Sequence, residues 1–211
     1  MDSQRRTLIQ TTYDRLAEPY ARNLAGELSD KPLECQILDR FAAEVKGAGP
    51  VLDIGCGPGQ VARHLYDRGV PVCGIDLSPA MIAQARRLHP DIEFRVGDMF
   101  ALEAPDGMWA GITAFYAIVH IPRERLRQAF VELRRVLRPG GTLLLAFHVG
   151  TETLCPGELW GVPVTLDWLF FSPQEIVEQL TAAGFAHTEV IERAPYIGVE
   201  HPSQRACIFA R

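Results

Sequence analysis

The spacing of apolar residues changes along this chain. Over residues 3–28 and 32–46, apolar side chains recur every three or four positions, which predicts two amphipathic helices. Pro19 is expected to break or kink the first helix, because proline removes a hydrogen bond from a helix interior. From Val51 onward, short apolar runs alternate with amphipathic stretches. This rhythm predicts an α/β fold with a parallel sheet covered by helices on both faces.

Seven apolar runs have the length and the polar borders of buried strands. The first run begins at Val51, and the other six cover 70–76, 92–96, 108–115, 142–147, 186–192 and 205–210. The helices predicted between them include 123–137 and two that begin at Ser-Pro pairs, at 78–79 and 172–173. A turn is predicted at 139–141, where proline precedes two glycines.

Two segments interrupt this rhythm. Residues 149–172 are rich in Gly, Pro, Trp and Phe, and residues 195–202 form a loop between the last two predicted strands. Both should emerge above the carboxyl edge of the sheet. Their aromatic side chains suit either an apolar cap over a site or a satellite hydrophobic cluster under a long loop.

Composition narrows the class of protein. The chain has 211 residues, 47% hydrophobic and 22% charged, with a net charge of -5 and no long basic run. These values are typical of a globular protein and do not indicate a nucleic-acid surface. The first ten residues lack the apolar core of a signal peptide, and no apolar run reaches membrane-spanning length. Five scattered cysteines without a CxxC pair predict reduced thiols in a cytoplasmic protein, and no metal site.

The most informative stretch is Val51–Gln60, VLDIGCGPGQ, which reads as a strand, a glycine turn and the start of a helix. The dinucleotide fingerprint is G-x-G-x-x-G, and Gln60 occupies the place of its third glycine. Asp53 lies two residues before the first glycine. A carboxylate there would repel a pyrophosphate and attract a cationic ligand.

This stretch resembles motif I of the class I S-adenosylmethionine-dependent methyltransferases of the small-molecule type. The resemblance implies a Rossmann-like three-layer sandwich, with a seven-stranded, mostly parallel sheet whose last strand is antiparallel. It also implies a single methyltransferase domain over 1–211. Its expected parts are a helical N-terminal lid at 1–47, a cofactor-binding core at 48–148, an aromatic substrate cap at 149–172, and a C-terminal helix with a β-hairpin at 173–211.

Acidic residues follow the second and third predicted strands. In an open α/β sheet, ligands bind outside the carboxyl ends of the strands. The carboxylate of Asp76 could accept hydrogen bonds from both ribose hydroxyls, and that of Asp98 from the adenine amino group, with Met99 packed on the ring. Each acid alone also suits a helix cap or a solvated turn. Their joint position after motif I favours the cofactor.

The resemblance implies further contacts with S-adenosylmethionine and its product S-adenosylhomocysteine. In the family, a tyrosine of the N-terminal segment often reaches the methionine part of the cofactor, and here Tyr13 occupies that place. The full set of predicted cofactor residues is Tyr13, Asp53, Gly55, Cys56, Gly57, Asp76, Leu77, Met81, Asp98, Met99 and Tyr116.

The implied reaction is an in-line displacement at the sulfonium methyl, in which the protein mainly aligns the reactants. A base is needed only if the nucleophile arrives protonated. Three histidines lie near the carboxyl edge, namely His120, His148 and His201, and each also suits a structural role. His120 matches a position where many family members keep a histidine near the cofactor, and it is the predicted catalytic residue.

The predicted acceptor is a small, partly apolar or aromatic molecule. Its predicted contacts are Trp160, Trp168, Phe170, Tyr196 and His201. No nucleic acid or membrane partner is expected, and the chain is expected to be a monomer or a homodimer. Two alternatives stay open: a nucleotide-dependent oxidoreductase, and a regulatory module that binds S-adenosylmethionine without catalysis.

Overall fold

The computed structural model describes residues 3–211 as alternating helices and strands. The helices are α1 (Ser3–Leu24), α2 (Pro32–Val45), α3 (Gln60–Tyr66), α4 (Pro79–Leu88), α5 (Leu126–Val136) and α6 (Pro173–Ala182). The main strands are β1 (Val51–Ile54), β2 (Val72–Asp76), β3 (Glu93–Val96), β4 (Trp109–Phe115) and β5 (Leu137–His148). Met1 and Asp2, which the predicted lid includes, lie outside the described residues.

Six further strands follow β5. Four are short, β6 (Thr153–Leu154), β7 (Glu158–Leu159), β8 (Val162–Pro163) and β9 (Trp168–Leu169), and two are longer, β10 (Thr188–Arg193) and β11 (Arg205–Ala210). The main sheet has seven strands in the order β10-β11-β5-β4-β1-β2-β3. Strands β1 to β5 pair in parallel, and β11 is antiparallel to both of its neighbours. The predicted Rossmann-like fold is confirmed.

The sheet is buried on both faces, as the apolar runs predict. On one face α5 and α6 pack against it through side chains such as Phe130 and Ile176. On the other face α2 and α3 cover it, and Phe41 and Leu38 are fully buried there. Each fully buried phenylalanine or leucine contributes about 1.5–3 kcal/mol relative to exposure. These two layers hold the carboxyl ends of the strands at one edge.

Helix α1 continues through Pro19, so the expected break is absent, and the helix ends at Leu24. A 3-10 turn, Glu27–Asp30, replaces the last residues of the predicted helix. The proline's missing hydrogen bond is outweighed by packing, because Ile9, Leu16 and Ala17 are buried against α4 and the 149–172 segment. Leu8, whose spacing predicted an inward side chain, is exposed.

The predicted turn at 139–141 is a bulge inside β5. Leu137 pairs with Trp109, whereas Thr142 already pairs with Gly111, so the residues between them are extra on the β5 side. Gly140 takes a left-handed φ of 73°, which glycine adopts without strain. The strand therefore begins five residues earlier than the sequence predicts.

Serine caps begin the two helices as predicted. The Ser78 hydroxyl accepts a hydrogen bond from the Met81 N–H at the start of α4, and Ser172 does the same for Glu175 in α6. The 149–172 segment forms two small antiparallel pairs, β6 with β9 and β7 with β8. Within 3–211, no helix combines the length and apolar character needed to cross a membrane.

Candidate functional site

A cavity of about 790 Å³ lies at the carboxyl ends of β1, β2, β3 and β4, with α1 forming its far wall. A second cavity of about 340 Å³ adjoins it at the glycine turn. Nine of the eleven predicted cofactor residues line the larger cavity: Tyr13, Gly55, Gly57, Asp76, Leu77, Met81, Asp98, Met99 and Tyr116. The other two, Asp53 and Cys56, line the smaller one.

The glycine turn, residues 55–59, has a backbone conformation that residues other than glycine adopt only with strain. Gly55, Gly57 and Gly59 all have left-handed φ values, of 67°, 51° and 91°. A Cβ added to Gly55 would lie 2.5 Å from the Cβ of Ala117, so the turn passes in direct contact with the segment after β4. At Gly57 the nearest atom to such a Cβ is 3.8 Å away, in the ring of Tyr20. This turn presents bare backbone to both cavities.

Asp76 ties the glycine turn to α4. Its Oδ2 accepts a hydrogen bond from the Gly57 N–H at 2.9 Å, and its Oδ1 accepts one from the Ser78 N–H at 2.8 Å. Burial raises the pKa of this carboxyl, and the backbone donors lower it in part. Each oxygen retains a lone pair, so Asp76 can still accept hydrogen bonds from a ligand in the cavity.

Asp98 is held in place from two sides. Its Oδ1 accepts a hydrogen bond from the Phe100 N–H at 2.9 Å, and its Oδ2 pairs with the Arg6 guanidinium of α1 at 2.9 Å. Met99 and Phe100 both line the cavity beside it. The result is an acid flanked by an apolar wall, an arrangement that suits a flat aromatic ligand with an amino group.

The smaller cavity contains buried acceptor atoms without partners among the described residues. The Asp53 Oδ1 accepts a hydrogen bond from the Thr113 hydroxyl at 2.8 Å, and the backbone N–H of Ala62 in α3 also stabilises this carboxylate, although no donor meets its Oδ2 with full hydrogen-bond geometry. The Gln60 Oε1 also has none, although its Nε2 donates to Glu27 at 2.9 Å. Burial raises the pKa of Asp53 to about 7. Unpaired acceptors beside a carboxylate fit an ammonium group, such as that of S-adenosylmethionine.

Glu27 and Gln60 were missed by sequence reasoning. Gln60 is the first residue of α3, directly after the glycines, so its position was a usable signal. Glu27 lies in the 3-10 turn, 33 residues earlier, and nothing local in the sequence connects it to the site. Tyr20 also lines both cavities, although the predicted cofactor residues include Tyr13 and not Tyr20.

His120 is buried in the wall of the larger cavity. Its ring Nδ1 donates to the Asp167 carbonyl at 2.9 Å, and its Nε2 lies 2.8 Å from the Tyr13 hydroxyl. Burial, with a smaller contribution from the charge of Arg5, lowers the pKa of His120 to about 4, and the hydrogen bond to the Asp167 carbonyl opposes this shift only in part. The Arg5 guanidinium also donates to the His120 carbonyl at 3.1 Å. At neutral pH the imidazole is therefore uncharged and doubly anchored.

The predicted acceptor residues lie outside both cavity walls in the described part of the chain. Trp160, at the tip of the 149–172 segment, is 41% exposed, and its ring meets that of Tyr20 edge-on at 5.7 Å. Phe170 is fully buried, because it stacks on the ring of His148 at 4.8 Å between ring centroids. His201 packs edge-on against that pair.

The two other predicted acceptor residues, Tyr196 and Trp168, contact α2 and strand β6 instead of the cavities. The Tyr196 hydroxyl accepts a hydrogen bond from the Leu33 N–H of α2 at 3.1 Å, and Trp168 pairs with Leu154 in a short ladder. His148 is not positioned as a base, because it lies outside both cavity walls and its Nδ1 is 2.9 Å from the Ser203 hydroxyl. Within residues 3–211, no group of three or more His, Cys, Asp and Glu side chains could hold a metal ion.

Comparison with protein families and curated proteins gives a consistent result. A family model described as a methyltransferase domain matches residues 51–141. A 2-methyl-6-phytyl-1,4-hydroquinone methyltransferase from Synechocystis is 34% identical over 152 residues, which are 66% of this chain and 47% of that protein. A malonyl-[acyl-carrier protein] O-methyltransferase from Salmonella typhimurium is 36% identical over 52% of this chain and 40% of that protein. The chain spans about half the length of the curated relatives it matches.

Solved structures share the fold over most or all of the chain. A DhpI–SAH complex superposes with a TM-score of 0.78 and 25% identity, covering 100% of this chain and 98% of DhpI. A methyltransferase structure from Methanosarcina mazei, at 20% identity, has a TM-score of 0.66 over 77% of this chain and 92% of its own, and shows the fold alone. The strand order, the glycine turn and these relatives agree: the chain has the fold of the class I S-adenosylmethionine-dependent methyltransferases and contains a methyltransferase domain at residues 51–141.

Proposed function

We propose that this chain transfers the methyl group of S-adenosylmethionine to a small-molecule acceptor by in-line displacement. The observation that supports this most strongly is the pair of adjoining cavities, which bring all eleven predicted cofactor residues together around unpaired buried acceptor atoms. The cofactor supplies an activated methyl group. The chain therefore has to bind, align and exclude water, and alignment alone contributes on the order of 7–11 kcal/mol in ideal cases.

Each part of the cofactor has a matching part of the wall. Asp53 and Gln60 would hold the ammonium group, and Glu27 would support Gln60 through their hydrogen bond. Asp76 would accept hydrogen bonds from the ribose hydroxyls. Asp98 would accept one from the adenine amino group, with the apolar wall beside it packing on the ring.

The acceptor would approach past Tyr20 and Tyr116, which line both cavities. Trp160 would cover this approach through its contact with Tyr20. The relatives are named for acceptors as different as a hydroquinone and a malonyl-carrier protein, so the proposal goes no further than a small molecule. The division into lid, core and cap, the cytoplasmic location and the oligomeric state stay predictions.

The direct test is binding followed by turnover. Calorimetric titration should show binding of S-adenosylhomocysteine and none of NAD. Incubation with methyl-labelled S-adenosylmethionine and a library of small acceptors should then transfer label to at least one of them. Binding of NAD in place of S-adenosylhomocysteine would overturn the proposal, and binding without any transfer would favour the regulatory module.

The Asp76→Ala variant should bind S-adenosylhomocysteine roughly 10–150-fold more weakly, because two charge-assisted hydrogen bonds to the ribose would be lost. Calorimetry on the folded variant measures the change. Asp106→Ala is a matched control, since that aspartate is exposed and pairs only with Arg135 among the contacts described. Equal affinity of the two variants would remove Asp76 from the site.

Cofactor affinity should also depend on pH through Asp53. Because burial raises the pKa of this carboxyl to about 7, it is protonated below that pH and loses its attraction for an ammonium group. The affinity for S-adenosylhomocysteine should therefore fall by up to about tenfold per pH unit below 7 and level off above it. The Asp53→Asn variant should bind weakly with no such slope. A flat profile for the unaltered chain between pH 5 and 8 would contradict this assignment.

A further inference from the structure

Two titratable side chains in the wall of the larger cavity, Tyr13 and His120, are hydrogen-bonded to each other at 2.8 Å. We propose that they form a proton relay that takes the proton of a neutral hydroxyl group on the acceptor as it is methylated. This inference rests on the proposed methyl transfer. In this relay Tyr13 is the catalytic residue that contacts the acceptor. His120 acts through Tyr13 by taking its phenolic proton.

The hydrogen-bond partners fix where the protons are. The Asp167 carbonyl can only accept, so the His120 Nδ1 must carry a hydrogen. A neutral imidazole then has a bare Nε2, and the Tyr13 hydroxyl donates its proton to it. The Tyr13 Oη is left with lone pairs and no hydrogen of its own to offer. In the cavity wall it is therefore a hydrogen-bond acceptor, which is what a donating hydroxyl group requires.

The charges around the pair keep it neutral. Burial is the main factor that opposes protonation of the His120 ring, and Arg5, which lies against the His120 backbone, adds to it; the hydrogen bond to the Asp167 carbonyl favours protonation but does not outweigh burial. Burial and the charge of Asp76 both raise the pKa of Tyr13, so the phenol keeps its proton. Because Arg5 and Tyr13 belong to α1, the relay is complete only when this helix is docked over the cavity.

The charge of the cavity wall selects the acceptor. Its lining, within the described residues, includes the carboxylates Asp76 and Asp98 and no lysine or arginine. Arg6 offsets the charge of Asp98, which leaves Asp76 as the carboxylate that would repel an anionic acceptor. A neutral hydroxyl group enters without that cost, but it must lose its proton during the attack. The cavity therefore suits an acceptor that needs a base.

The relay step balances in atoms and charge. The acceptor oxygen forms a bond to the methyl carbon while the carbon–sulfur bond breaks and its electron pair stays on sulfur. The hydroxyl proton passes to the Tyr13 Oη, and the phenolic proton passes to the His120 Nε2. The positive charge leaves the sulfonium as the imidazolium forms, so the net charge of the site is unchanged. Loss of the neighbouring sulfonium charge should raise the pKa of His120 at the moment when it receives the proton.

Nitrogen-15 NMR of the histidine ring tests the relay without an acceptor. His120 should show the Nδ1–H tautomer in the free chain. Its pKa should be at least about one unit higher in the complex with S-adenosylhomocysteine than in that with S-adenosylmethionine, because only the latter carries the sulfonium charge. His120→Gln assigns the signal. An Nε2–H tautomer, or equal pKa values in the two complexes, would overturn the proposal.

Kinetics with a hydroxyl acceptor found in the labelling screen give the second test. Tyr13→Phe and His120→Gln should each lower kcat by about 10²–10⁴-fold when S-adenosylmethionine is saturating, so that any change in cofactor affinity does not contribute. Glutamine can still accept the tyrosine's hydrogen bond but takes no proton, so it separates positioning from proton transfer. The double variant should lose no more than either single one, because the residues act as a unit.

Two control variants test whether the loss of kcat is specific to the cavity, and the relay and the methyl transfer can each be refuted separately. Tyr66→Phe and His187→Gln change the same residue types outside the cavity lining and should keep the parent kcat. Label transfer that persists in Tyr13→Phe, or transfer only to anionic acceptors, would overturn the relay and leave the methyltransferase proposal intact. Absence of cofactor binding in the unaltered chain would instead refute the proposed function itself.

Discussion

The Gly55→Ala variant is expected to be less stable than the parent chain by about 2–5 kcal/mol and to lose measurable cofactor binding. Gly55 has a left-handed φ of 67°, which costs any other residue about 1–2 kcal/mol. The added Cβ would lie 2.5 Å from the Cβ of Ala117, so the glycine turn or the segment after β4 must move. Urea unfolding measures the stability loss, and calorimetry with S-adenosylhomocysteine measures the binding loss.

Variants of two other glycines separate the backbone penalty from the steric contact and from the effect on cofactor binding. Gly140 has a similar φ of 73° with open space around it, so Gly140→Ala should cost only the backbone penalty of about 1–2 kcal/mol and leave binding intact. Gly57→Ala has room for its methyl group, but that group would project beside Tyr20 into the cavity. It should resemble Gly140→Ala in stability and Gly55→Ala in binding. Equal stability of Gly55→Ala and Gly140→Ala would show that the contact with Ala117 is relieved at no cost.

The Arg193→Ala variant is expected to lose about 3–5 kcal/mol of stability at pH 7, because it removes the ion-pair partner of the buried Glu34 and leaves the buried Glu200 with only its longer pairs to Arg205 and Lys31. Arg193 donates to Glu34 at 2.7 Å and to Glu200 at 3.1 Å, and the side chains of all three are at most 10% exposed. Burial alone would raise the pKa of Glu200. Hydrogen bonds from Arg193 and from the Tyr196 backbone outweigh it and lower this pKa to about 2.

The stability loss caused by Arg193→Ala should become smaller as the pH falls. In the parent chain, the contribution of Glu200 is full above its ordinary pKa of 4.5 and is lost as the pH falls towards 2. The penalty of Arg193→Ala should therefore shrink from pH 7 to pH 4, as the stranded carboxyls take up protons. Chemical unfolding at the two pH values measures it. Arg95→Ala breaks an exposed pair with Glu93 and should cost less than about 1 kcal/mol at either pH. A pH-independent penalty for Arg193→Ala would mean that packing, not charge, is lost.

The ends of the strands were predictable because the local sequence shows which residues are buried. A strand buried on both faces needs consecutive apolar residues, and the polar residue that ends it marks the edge of the sheet. Since parallel strands share a carboxyl edge, Asp53, Asp76 and Asp98 could be placed at one site from their spacing alone. The glycines carried a second local signal, because only glycine takes three left-handed φ values in five residues without strain.

Local sequence says less where distant parts of the chain decide. Pro19 was expected to break or kink α1, but the helix continues through it, packed against α4. Phe170 was predicted to contact an acceptor, and in the structure it is fully buried and stacked on His148. Both outcomes depend on neighbours remote in sequence. Periodicity identifies an apolar side chain but not the surface that covers it.

The sequence by itself determined the α/β alternation and the acids at the carboxyl edge, because covalent neighbours and local periodicity carry that information, and the resemblance of its glycine turn to motif I indicated the methyltransferase family. Only the tertiary structure decided which polar atoms lack partners and which distant side chains are hydrogen-bonded to each other. The pairing of Gln60 with Glu27, and that of Tyr13 with His120 across 107 positions, exist only once α1 and the 3-10 turn lie against the sheet. Hydrogen bonds between distant residues follow from the packing of whole elements, which no local pattern encodes.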